Sequence, residues 1–312
     1  MSVESVAVVG CGRMGTGVAE AVASVGIPVV AVKATGGDLS KVRDAIARSL
    51  ERRVQKGKLD PAERDAIRGR IEVSGDLGRV EGCDLVIESG LEELTPKTHL
   101  LQQIEQRMSP GAILATNTSS LPLETLADRL QRPDQFLALH FFNPAQAMKL
   151  VELAATELTA PGVVEAAHSF CQAIHKHAVD VGPSSGYVVN RLLVPYLLHA
   201  IETLEQGVAS ADAIDDAMKL GCGHPMGPLA LADYIGLDVV FAMAKTMQTE
   251  LHDARYRAPS LLRRLVLARQ LGKKTGAGIY DYSRETPRVN SAIRLQPRRT
   301  TVEVAAHAEP AE

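Results

Sequence analysis

The chain of 312 residues has no tryptophan, and phenylalanine and tyrosine together make up only 4% of it. So few aromatic rings leave little from which to build a base-stacking platform, so no nucleic-acid partner is expected. Cysteine is also scarce. Cys11, Cys83, Cys171 and Cys222 lie far apart, with neither metal-site spacing nor a disulfide framework, so no metal is expected and a reducing compartment suits them. No apolar run approaches the roughly 18 residues that a membrane span needs. The first apolar strand begins at Val6, leaving no room for a signal peptide, so a cytoplasmic protein without a membrane partner is expected. A formal net charge of −3 excludes a general polyanion binder. That charge is unevenly spread. Residues 41–70 hold ten Lys and Arg against five acids, which is either a solvated helical face or a dock for a polyphosphate handle or acidic carrier protein.

What the chain does have is glycine in an informative place. Val6-Ala7-Val8-Val9 runs into Gly10-Cys11-Gly12-Arg13-Met14-Gly15, and helix-compatible residues follow from Val18. A strand, Gly-x-Gly-x-x-Gly and a helix form the fingerprint of a dinucleotide site. Gly10 makes the tight turn, Gly12 lets backbone N–H groups approach a pyrophosphate, and Gly15 lets helix and strand pack closely. The fingerprint also expects Asp or Glu at the end of the second strand, to accept from the ribose hydroxyls of NAD. Pro28-Val29-Val30-Ala31-Val32 is followed instead by Lys33, then Ala34-Thr35-Gly36-Gly37. Either Lys33 faces a 2′-phosphate, which would favour NADP, or it points to solvent while NAD binds without its carboxylate clamp.

Strands and helical stretches alternate through the first half, implying a doubly wound, mostly parallel sheet of Rossmann type covered on both faces. Further strands are predicted at residues 84–88, 112–116, 136–140, 150–153 and 178–181. A long helical segment over residues 39–70 breaks near Gly57 and Asp60-Pro61, and other helices are predicted over 97–107 and 161–175. After Gly186 the apolar spacing becomes helical to about residue 271. The expected organisation is thus a dinucleotide-binding domain over 1–184, an all-α domain over 185–284, and a disordered tail over 285–312.

Three further segments carry the chemistry: Asn117-Thr118-Ser119-Ser120, then His140-Phe141-Phe142-Asn143-Pro144 with Glu152 beyond it, then Gly186-Tyr187-Val188-Val189-Asn190-Arg191. Together with Gly223-His224-Pro225-Met226-Gly227-Pro228 and Gly272-Lys273-Lys274-Thr275-Gly276-Ala277-Gly278, they closely resemble the 3-hydroxyacyl-CoA dehydrogenase family, in its order and spacing, over about residues 3–282. The resemblance implies a nicotinamide-dependent oxidoreductase of fatty-acid metabolism that interconverts a 3-hydroxyacyl thioester, of 3-hydroxybutyryl-CoA type, and its 3-keto form. It also implies a homodimer formed through the helical domain.

Alcohol oxidation needs a proton acceptor working near neutral pH, and histidine is the natural one. The resemblance implies His140 and Glu152 as the catalytic pair, with Ser119 and Asn190 hydrogen-bonding the reacting oxygen. The glycine loop (Gly10, Gly12, Arg13, Met14 and Gly15) and Lys33 are the cofactor contacts read from the fingerprint and its departure, and Glu92, Lys97, Asn117 and Asn143 are those the resemblance implies. Arg52 and Lys56, in the basic segment, are candidates for the substrate's handle. The remaining histidines show no partner pattern and read as surface or packing residues. Rival substrates are a carrier-protein thioester or a free hydroxy or sugar acid, and the rival of another class is a non-catalytic dinucleotide-binding scaffold.

Overall fold

A computed structural model describes residues 2–290 and 293. The described chain forms two compact units that divide between Asn190 and Arg191. In chain order the first unit holds β1 (Val6–Val9), α1 (Arg13–Ser24), β2 (Val29–Val32), α2 (Ser40–Gln55), α3 (Pro61–Gly69) and β3 (Ile71–Ser74). It continues with β4 (Leu85–Glu88), α4 (Leu94–Glu105), β5 (Ile113–Thr116), α5 (Leu123–Ala127), β6 (Phe136–Phe141), β7 (Leu150–Ala155), α6 (Pro161–Ala173) and β8 (His177–Val181).

The eight strands form one sheet in the order β3-β2-β1-β4-β5-β6-β7-β8. Every neighbouring pair is parallel except β6 and β7. A parallel return needs a crossover of a dozen residues or more, and the short connection after Phe141 allows only an antiparallel one. In that pairing His140 stands directly opposite Glu152, so the two side chains share a face of the sheet.

The central strands are buried on both faces because helices cover both. Val6 and Val8 point into a layer with Val18, Val22, Ile46 and Phe170 from α1, α2 and α6. Ala7 and Val9 point the other way, toward Leu101, Ile104, Leu123 and Leu126 from α4 and α5. This is the two-residue period of a strand read against two apolar layers. The strand order reverses at β1, which is flanked by β2 and β4; such a switch point opens a crevice at the strand C-termini. The predicted break in the long helical segment is the gap between α2 and α3, where Asp60 caps α3 by accepting from Ala62 and Glu63 N–H. β3 is absent from the sequence reading. It is a partly exposed strand carrying Glu72 and Ser74, too polar to stand out.

The second unit carries most of α7 (Val189–Glu205), then α8 (Ala211–Cys222), α9 (Pro228–Ile235), α10 (Leu237–Leu251) and α11 (Ser260–Leu267). Its core includes Leu197, Ile201, Leu204, Leu229, Val240 and Leu262. The join is expected at 184/185, and the two compact units divide a few residues on, after Asn190. The physical reason is that Val188 and Val189 donate their N–H groups to Glu152, which ties the stretch before Asn190 to the sheet. The expected tail also starts too early. Arg288–Val289 (β10) pairs antiparallel with Tyr280–Asp281 (β9). Buried Asn290 donates to Gly278 O at 2.8 Å and Gln270 Oε1 at 3.1 Å. A two-residue strand locked by one side-chain amide leaves no compositional trace. The rest of the expected tail lies outside the described residues.

Candidate active site

At the C-terminal end of β1 the glycine loop turns tightly, with Gly10 N–H donating to Val32 O at 2.9 Å. A Cβ on Gly15 would lie 1.8 Å from the Gly10 carbonyl oxygen, so only glycine allows α1 to start this close to the strand. No side chain caps α1, which leaves the first-turn N–H groups of Arg13 and Met14 to meet an anion. Beside the loop lies a cavity of about 420 Å³ whose lining includes Gly10, Gly12, Lys33, Gly90 and Lys97. The close-packed glycine cradle and the uncapped helix fit a dinucleotide pyrophosphate.

Behind the cavity, Lys97 from α4 forks onto both carboxylate oxygens of Glu88 at 2.8 Å, and both residues are buried. Glu88 also accepts from Thr116 Oγ1 at 2.7 Å and from Gly90 N–H. Glu88 was not singled out in the sequence. Its signal there was a carboxylate at the end of an otherwise apolar strand, which burial tolerates only with a partner. The pair neutralises Lys97 and fixes it at the crevice floor.

Glu92 organises the next turn. Its Oε1 accepts from Ser119 N–H (2.7 Å), Ser120 N–H (3.0 Å) and Thr118 Oγ1 (2.7 Å). Burial alone would raise its pKa, but Lys97 and these donors together hold the carboxyl below its ordinary value. Ser119 is therefore positioned by its own backbone and by Glu92. Asn117 bridges strand ends, donating to Ser89 Oγ at 3.2 Å and accepting from Phe141 N–H at 2.8 Å. Through Phe141 it braces the end of β6, where His140 sits.

His140 Nδ1 lies 2.8 Å from Glu152 Oε2, with both residues buried. A carboxylate there holds the proton on Nδ1, leaving the Nε2 lone pair free to act as a base. The other carboxylate oxygen accepts from Val188 N–H (3.0 Å) and Val189 N–H (2.8 Å). Burial pushes the Glu152 pKa up, yet the bond to His140, the two backbone donors and the imidazole charge outweigh it and hold the carboxyl below its ordinary value. The Phe142 ring packs edge-on against the imidazole at 4.6 Å. Buried Asn190 follows Val189 directly and opens α7. Tyr187, quoted within its sequence motif but given no role there, is buried with its ring 5.4 Å from that of His140.

On the far side of the glycine loop, a groove of about 590 Å³ is lined by Arg13, Glu20, Ser49, Arg52 and Asn143, among others. Lys56 lies one turn beyond Arg52 on the same face of the chain. Glu20, buried beneath this groove, is raised to about 7 by burial, which outweighs its bond from Ser49 and the pull of Arg53 and Arg52. Two histidines read as partnerless have partners. His168 Nε2 lies 2.7 Å from Asp180, and His224 Nδ1 lies 3.0 Å from Tyr196 Oη. Both pairings join residues at least 12 positions apart, which spacing along the chain does not reveal.

Comparison with known proteins agrees with this geometry. Residues 5–184 match the model of the 3-hydroxyacyl-CoA dehydrogenase NAD binding domain, and residues 186–282 match that of the same family's C-terminal domain. A 3-hydroxybutyryl-CoA dehydrogenase from Clostridioides difficile is 40% identical over 278 residues, 89% of this chain and 99% of that protein. The crystal structure of FadB2 from M. tuberculosis superposes with a TM-score of 0.88 at 39% identity, covering 91% of this chain and 100% of that one. That of (S)-3-hydroxybutyryl-CoA dehydrogenase PaaH1 from Ralstonia eutropha gives 0.84 at 40% identity, with the same coverage. The sheet and the glycine loop are thus those of a nicotinamide-dependent oxidoreductase, and the chain belongs to the 3-hydroxyacyl-CoA dehydrogenase family.

Proposed function

We propose that this chain interconverts 3-hydroxybutyryl-CoA and acetoacetyl-CoA, and that it does so in the cytoplasm as a homodimer formed through the helical unit. The observation that carries the chemistry is the 2.8 Å contact between His140 Nδ1 and Glu152. In the oxidation direction, His140 Nε2 takes the proton of the 3-hydroxyl. Glu152 stabilises the imidazolium that forms and, through Val188 and Val189, holds the chain leading to Asn190 in place. Ser119 Oγ and the Asn190 amide hydrogen-bond the reacting oxygen and hold the C3–H bond in line for transfer. A bound nicotinamide ring supplies the hydride acceptor. Gly10, Gly12, Gly15, Arg13 and Met14 hold the pyrophosphate, while Glu92, Lys97, Asn117 and Asn143 border the nicotinamide half. Arg52 and Lys56 take the phosphates of the CoA handle, which suits a basic segment better than a free hydroxy acid would. Leu192, Leu220 and Leu267, each more than two-thirds exposed in the helical unit, support association with a second copy.

The test is absorbance at 340 nm with acetoacetyl-CoA and reduced nicotinamide cofactor. Rapid oxidation that requires the thioester is expected. Cofactor binding without turnover of acetoacetyl-CoA would overturn the substrate assignment.

A further inference from the structure

Resting on the reading of the β1–β4 crevice as the dinucleotide site, we infer that this chain selects the 2′-phosphorylated cofactor, NADPH, and that Lys33 with the loop over residues 33–37 is the selecting element. Lys33 directly follows β2, at the place where a ribose-binding carboxylate belongs, and its backbone is fixed there by donation to Ser74 O at 2.9 Å. The following loop curls back on its own ammonium. Gly36 and Gly37 have φ values of +66° and +87°, and the turn they make brings Thr35 Oγ1 to 3.0 Å from Lys33 Nζ and the Gly36 carbonyl into contact with it. An ammonium has three N–H donors and no acceptor. Two of them are thus directed by the loop, and the third is left for a ligand.

The charge around Lys33 points the same way. Of the two lysines that line the cavity, Lys97 is neutralised by Glu88. Lys33 has no carboxylate within ion-pair distance among the described residues, and no Asp or Glu lines the cavity. The crevice therefore presents one uncompensated cation, at its adenosine end. Two ribose hydroxyls need acceptors, which the Lys33 ammonium lacks. A phosphate needs donors and positive charge, which it offers, and charge-assisted bonds of this kind are the strong ones. The Thr35 hydroxyl, already beside Nζ, is a second donor to the same group.

The experiment is a direct binding titration that follows the fluorescence of the reduced nicotinamide, with 2′,5′-ADP and 5′-AMP as competitors. The wild-type chain should bind NADPH at least tenfold more tightly than NADH. 2′,5′-ADP should displace it well below the concentration needed for 5′-AMP, and added salt should narrow the gap. Lys33→Met should abolish the preference, and Lys33→Asp should reverse it. Lys33 is only half-buried, so both variants should keep the wild-type thermal transition, and NADH binding by Lys33→Asp reports an intact site. Equal or tighter binding of NADH by the wild type, or a preference for NADPH that survives both substitutions, would overturn the inference alone. Binding of neither dinucleotide would overturn the reading of the crevice and the inference with it.

Discussion

Two carboxylates, one in each unit, have nearly the same bonding and opposite electrostatics. In the sheet unit, Glu152 accepts from two consecutive backbone N–H groups and from His140. In the helical unit, Asp233 accepts from the consecutive N–H groups of Ile279 and Tyr280 and from Tyr282 Oη. Both are almost wholly buried. Yet Glu152 is held below its ordinary pKa, whereas burial raises Asp233 to about 6 despite its three donors, with Asp215 pushing it further up. Burial weighs more heavily at Asp233, and the charge beside each carboxylate adds to the difference. An imidazole can carry a positive charge, a phenol cannot, and beside Asp233 the neighbouring charge is negative. One carboxylate is kept ionised beside an imidazole. The other is a clamp that ties the segment around Ile279 and Tyr280 to α9.

The largest expected effect falls on the first of these. His140→Ala removes the proposed base and should lower the turnover of 3-hydroxybutyryl-CoA by about 10²–10⁴, leaving cofactor affinity near wild type. Near-normal turnover would separate the pair from the chemistry. For the clamp the loss should appear in stability instead. Asp233→Ala strands two buried backbone donors and should destabilise the fold by about 3 kcal/mol in denaturant unfolding. A loss of less than about 1 kcal/mol would mean the loop holds itself.

The pH dependence sharpens the contrast. Between pH 3.8 and about 6, native Asp233 holds a proton that the unfolded chain has released. Its contribution is therefore fully present below pH 3.8 and is lost as pH rises through 6, amounting to roughly 3 kcal/mol. Glu152 behaves oppositely. Its folded pKa is depressed below 4.5, so its contribution is present above pH 4.5 and is lost as pH falls below it. Plotted against pH, the stability difference between wild type and Asp233→Asn should fall from pH 4 to 7. The difference for Glu152→Gln should rise from acid pH to about 5 and then stay flat. Slopes of the same sign would show that burial and the neighbouring charge do not set the two carboxylates apart.

Glu152, the member of this comparison proposed to serve catalysis, was singled out in the sequence, and Asp233 was not. The resemblance named His140 and Glu152 as a pair, and the fold sets them opposite each other on two strands joined by a short connection. The glycine loop and the departure at Lys33 were legible because both depend on neighbours in sequence. Asp233 meets Ile279 and Tyr280 across at least 46 positions, and Glu88 meets Thr116 across 28. No periodicity encodes such partners. The tie of Val188 and Val189 to the sheet also depends on a carboxylate far off in sequence, that of Glu152. Local sequence thus offered the candidate reacting groups, while the groups that hold them needed the fold.

The smallest effects test hydroxyls within the same two neighbourhoods. Tyr282 Oη donates to Asp233 at 3.1 Å, so Tyr282→Phe should cost about 1.5–3 kcal/mol, the range for a hydrogen bond to a charged group. Tyr187 is 4% exposed, stands beside His140, and its hydroxyl has no protein partner among the described residues. A buried, unpaired hydroxyl is a cost to the folded state, so Tyr187→Phe should leave stability unchanged or raise it by up to about 1 kcal/mol. The same substitution should therefore move the denaturation midpoint in opposite directions at the two sites. A loss at Tyr187 as large as that at Tyr282 would mean its hydroxyl is bonded in solution, making the wall beside His140 polar rather than apolar.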